Sequence, residues 1–89
     1  MKNEISDLLR KAILDLLARR KPGATICPSE AARLVAPDGW RDLMELTRRV
    51  ALVLVNEGLV DICQKGNVVD PSAGIKGPVR LRLKMTDRS

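Results

Sequence analysis

Histidine, phenylalanine and tyrosine are missing from the chain, and tryptophan occurs once. The lack of histidine removes the commonest general acid–base group and the commonest nitrogen ligand for a metal. A single aromatic side chain makes no platform on which successive bases would stack, which counts against single-strand nucleic-acid recognition. Two cysteines, Cys27 and Cys63, make neither a disulfide framework nor a four-ligand zinc site. Their apolar surroundings in sequence read as those of reduced, buried small hydrophobes. No apolar run approaches membrane-spanning length, so no membrane partner is expected. Met1-Lys2-Asn3-Glu4 carries charge and no apolar segment, so no signal peptide and a cytoplasmic location are expected. A glycine-rich phosphate loop and a serine in a nucleophile-elbow setting are also absent. The expectation is a protein that is not an enzyme and needs no metal or cofactor.

What is present suits one small domain over residues 1–89. The chain is 45% hydrophobic, nearly all of it aliphatic, so its core is built from Leu, Val, Ile and Ala. The net charge of +5 makes a polyanion the natural partner.

Periodicity predicts three helices. Ile5, Leu8, Leu9, Ala12, Ile13, Leu16 and Leu17 form one apolar stripe over residues 4–20, stopped by Pro22-Gly23. A short extended segment at Ala24-Thr25-Ile26-Cys27 leads into a helix start, with Cys27 at the cap, Pro28 first and Glu30 reaching back. A thiol at a helix start is open to activation, but without a histidine or second cysteine nearby in sequence the structural role is preferred. This second helix runs from about Pro28 to Val35 and is expected to bury Ala31, Ala32, Leu34 and Val35. After the turn at Ala36-Pro37-Asp38-Gly39, Asp38 is expected to cap a long third helix that Gly58 ends. Leu43, Leu46, Thr47, Val50 and Leu54 face its core side, flanked by Trp40, Ala51 and Val53. Arg41, Glu45, Arg48, Arg49, Leu52 and Asn56 lie opposite.

Two strands follow. Leu59 to Gln64 alternates Val60 and Ile62 with Asp61 and Cys63, and Val79 to Met85 alternates apolar residues with Arg80, Arg82 and Lys84. Between them, residues 65–78 form a wing loop rich in glycine and proline, with Asp70-Pro71-Ser72 as a turn. Residues 86–89 read as a frayed tail. The order is that of an α+β winged helix-turn-helix: three helices and a small antiparallel sheet made of the short strand plus the wing hairpin.

Thr25 to Arg33, Pro37 to Met44, Gln64 to Pro71 and Lys76 to Arg82 together resemble an uncharacterised bacterial winged-helix family. It is a domain of unknown function numbered three-two-five-three, and the likeness runs from about Ile13 to Leu83. The resemblance implies the winged-helix fold and carries no activity, substrate or site residues.

Two functional readings follow from the residues. The first is a small DNA-binding or regulatory module in which helix three and a basic wing meet double-stranded DNA. Arg41, Arg48, Arg49, Lys65, Lys76, Arg80 and Arg82 are then the contact residues, because Arg and Lys neutralise phosphates and Arg pairs with guanine edges. Asp42 and Glu45 in the first turns of that helix oppose it, and Arg82 has Asp61 as an alternative partner across the hairpin. The second reading is a protein-interaction or homodimerising module without DNA. Val50-Ala51-Leu52-Val53-Leu54-Val55 is apolar on every side of a helix, leaving Leu52 and Val55 for a protein partner unless the wing loop covers them. Trp40 is either an anchor in such a contact or packed on helix two or the wing.

Overall fold

The computed structural model describes residues 4–74 and 77–84. Three helices, α1 (Glu4–Ala18), α2 (Pro28–Val35) and α3 (Met44–Asn56), pack against one another and beside a sheet of four short strands. These are β1 (Thr25–Ile26), β2 (Val60–Gln64), β3 (Asn67–Val68) and β4 (Arg80–Leu83). The sheet is antiparallel with the order β1-β4-β2-β3. This is an α+β fold in the winged helix-turn-helix arrangement.

The core forms where the helical stripes meet the inner face of the sheet. Leu9 and Ile13 of α1, Leu54 of α3, Ile26 of β1, Val60 of β2 and Leu81 of β4 are all fully buried. Two features expected of α1 and α2 are corrected. Ile5 and Leu8 are exposed, because the covered part of the stripe is Leu9, Ala12, Ile13 and Leu17, with Leu16 at its edge. Leu34 is 55% exposed, since the buried face of α2 is Pro28, Ala31 and Ala32, with Val35 at its edge.

At the start of α2, Pro28 takes the first helical position and the Cys27 backbone N–H donates to Glu30 Oε2 at 2.8 Å, which is the reach-back bond of a capping box. Cys63 is buried as expected, whereas Cys27 is only half-buried, its Sγ accepting from the Ser29 hydroxyl at 3.1 Å.

The third helix does not run unbroken from an Asp38 cap. Residues Trp40–Leu43 form a 3-10 helix, with Asp42 N–H donating to Gly39 C=O at 3.1 Å, and the α-helix begins at Met44 without a side-chain cap. Thr47 is fully buried one turn into α3, and its hydroxyl donates to the Leu43 carbonyl at 2.7 Å. That bond satisfies both a buried hydroxyl and a carbonyl at the junction of the two helical forms.

Gly58 ends α3 as expected. It sits at φ +79, and the Leu59 and Gly58 amides bond back to the carbonyls of Leu54 and Val55, each at 3.0 Å. This paired closure sends the chain straight into β2.

The wing differs from a simple hairpin with a long loop. Lys65 and Gly66 lie at φ +52 and +83, the positive pair of a two-residue primed turn, and Gln64 then pairs with Asn67. A tight β2–β3 hairpin therefore stands at the sheet edge. The chain returns through a 3-10 turn at Pro71–Ala73 to place β4 between β1 and β2. Met85, expected to end the last strand, lies outside the described residues. Among the described residues no helix is long and apolar enough to cross a membrane.

Candidate nucleic-acid interface

The outward side of α3 carries Glu45, Arg48, Arg49, Leu52, Val53 and Asn56. Helical spacing brings Arg49 and Glu45 together one turn apart, at 3.0 Å. Arg49 thus faces outward already balanced by a carboxylate. Arg48 makes no ion pair or side-chain hydrogen bond among the described residues, and its charge stands uncompensated. Leu52 is 39% exposed, as expected. Val53, expected to flank the core, is 50% exposed, while Val55, expected outside, packs at the edge of the core. The apolar pair that α3 shows to solvent is Leu52 and Val53.

Before α3, the Trp40 ring is covered by two guanidinium groups. Arg33 of α2 lies 4.3 Å from the ring centroid and Arg41 lies 4.6 Å from it. The half-buried indole is therefore packed against helix two, one of the two outcomes expected for it. Its π-face attracts both cations without neutralising either. Arg33 was not singled out by the sequence, because only the turn between α2 and Trp40 brings it to the ring.

The strand face is more nearly balanced than its alternating pattern suggests. Arg80 donates from Nε to Thr25 Oγ1 at 2.6 Å and from Nη2 to the Thr25 carbonyl at 3.1 Å, and it lies 4.0 Å from Glu30. Glu30 also holds Arg20 at 2.6 Å. Arg82 sits opposite Asp61 in the ladder. At the tip of the β2–β3 hairpin, Lys65 is exposed and, like Arg48, has no ion pair among the described residues. Lys76, the remaining expected contact, lies outside the described residues.

Of the six described residues expected to touch DNA, two are thus uncompensated cations on the elements that this fold presents, Arg48 on α3 and Lys65 on the hairpin. Arg41 keeps its charge against an aromatic ring, while Arg49, Arg80 and Arg82 have internal partners. A protein-family model for a family described as a protein of unknown function (DUF3253) matches residues 6–84. No curated protein matches the chain.

Proposed function

The chain belongs to the DUF3253 family, whose function is unknown, and from that premise we propose that it is a small duplex-DNA-binding module. It is a binding protein rather than a catalyst, and α3 and the β2–β3 hairpin are its two points of contact. The observation that carries the reading is the pairing of fold and charge: Arg48 and Lys65 are unbalanced cations on the recognition-helix and wing positions of a winged helix-turn-helix. The net charge of +5 supports it. Arg33 and Arg41 add cationic reach at the turn between α2 and α3. Because Glu45 balances Arg49 and Leu52 occupies the outward face, phosphate contact outweighs base readout in this account. The test is fluorescence anisotropy of a labelled generic duplex at low and moderate salt. Binding that weakens steeply with salt is expected; no binding at low salt would sink the reading.

A second reading is a homodimer or other protein contact without DNA. It is favoured by one observation, the adjacent exposure of Leu52 and Val53 on a single helix. Light scattering on the protein and on its Val53→Asp variant tests it. A dimer that the substitution dissolves would support this reading, and a strict monomer at high concentration would remove its homodimer form.

A further inference from the structure

A cleft of about 270 Å³ opens where α3, the sheet and the segment leading into β4 meet. Ala51 and Leu52 form its α3 wall, and Ile62 and Leu81 form its floor on the sheet. Pro71, Gly77 and Val79 close it from the wing side, and Pro28 from the start of α2. Among the described residues one charged side chain enters the lining, that of Arg48. Among the described residues no carboxylate shares the cleft, and Arg48 has no ion pair.

Apolar walls with one guanidinium ask for a ligand divided in the same way, an apolar body with a single anionic head. A neutral hydrocarbon would gain nothing from the guanidinium, and a polyphosphate would set several charges against aliphatic walls. A cleft of this size suits a small molecule. The arginine fork matches a carboxylate through two parallel bonds. We infer that this cleft binds a small organic monocarboxylate, its ring or branched aliphatic body against Leu52, Ile62 and Val79 and its carboxylate on Arg48. Such a ligand touches α3 and the wing segment at once and ties the two together.

The probe is benzoate, titrated into the full chain without DNA and followed by amide proton–nitrogen correlation spectra. Benzyl alcohol, with the same ring and no charge, is the control. Saturable shifts are expected at Ala51, Leu52, Ile62, Gly77 and Val79, with a millimolar dissociation constant and benzyl alcohol about tenfold weaker. Arg48→Gln, a change at an exposed position, is expected to weaken benzoate about tenfold and leave benzyl alcohol unaffected. Absence of saturable shifts at millimolar benzoate would overturn the inference. So would shifts centred elsewhere, equal binding of the two probes, or an indifferent Arg48→Gln variant. No duplex is present, so failure here leaves the DNA reading untouched, and failure of duplex binding leaves this result standing.

Discussion

Arg82 lies directly across the β2–β4 ladder from Asp61, its guanidinium 3.6 Å from the carboxylate. Lys84 approaches the same carboxylate at 3.9 Å. Arg82 and Lys84 thereby share one carboxylate, which is why the basic pattern around β4 overstates its free charge. The Nε of Arg82 is already buried without a hydrogen-bond partner, so the ion pair is what compensates this guanidinium. With side-chain exposures of 29% and 17%, the pair sits between the surface and buried regimes. Asp61→Ala is therefore expected to cost about 1–2 kcal/mol in urea denaturation, more than an exposed pair and less than a buried one. No change in the midpoint would show that water already screens the pair.

Leu54 and Leu52 stand two residues apart on α3 and test its orientation. Leu54 is fully buried in the core and Leu52 is exposed. Leu54→Ala should destabilise by about 2–5 kcal/mol, whereas Leu52→Ala should stay within about 0.5 kcal/mol. Comparable losses at the two positions would mean that Leu52 is covered, by the wing or by a second copy.

The β2–β3 hairpin rests on backbone conformation at Lys65-Gly66. A Cβ added at Gly66 meets nothing within 4 Å, so Gly66→Ala isolates the effect of its positive φ. A loss of about 1 kcal/mol is expected, with the amide shifts of Asn67 and Val68 altered most. A stabilising substitution would contradict the primed turn.

Asp70 supplies the acid-sensitive element of the wing. The Ser72 backbone N–H and hydroxyl donate to its Oδ1 at 2.9 and 2.8 Å. These bonds hold the carboxyl below its ordinary value, the backbone bond being the larger cause. The unfolded chain loses both bonds and returns to the ordinary value. The stabilisation is therefore complete above the usual aspartate range and disappears as pH falls through the lowered folded value. A carboxyl-detected NMR titration should place Asp70 below an ordinary aspartate. Ser72→Ala, which keeps the backbone bond, should raise the midpoint only part of the way. An unshifted midpoint in the parent protein would remove the turn from the account.

The parts legible in sequence are those governed by local pattern. The stop at Gly58, the alternation of β4 and the proline–glutamate start of α2 each depend on residues within a few positions. β3 was hidden because Asn67 and Val68 are both exposed and two residues show no alternation, leaving only the Lys65-Gly66 turn as a cue. Val53 and Val55 lie on opposite flanks of the buried Thr47, Val50 and Leu54 stripe, and side-chain spacing alone does not reveal which flank the neighbouring elements cover. For the candidate interface, the sequence named the basic residues but not their partners. Arg80 finds Thr25 from 55 residues away, a contact that only the β1–β4 pairing creates. The Asp61–Arg82 pair was legible because the alternation of the two paired strands puts both residues on one face.

The central claim is that Arg48 and Lys65 carry duplex contact while the balanced arginines do not. The direct measurement is the dependence of duplex affinity on salt for the parent protein, for Arg48→Gln with Lys65→Gln, and for Arg80→Gln. Each lost phosphate contact lowers the slope by about 0.9, so the double variant should fall by roughly 1.8 and Arg80→Gln should match the parent. Equal slopes in the parent and the double variant, or no duplex binding by the parent at low salt, would contradict the account.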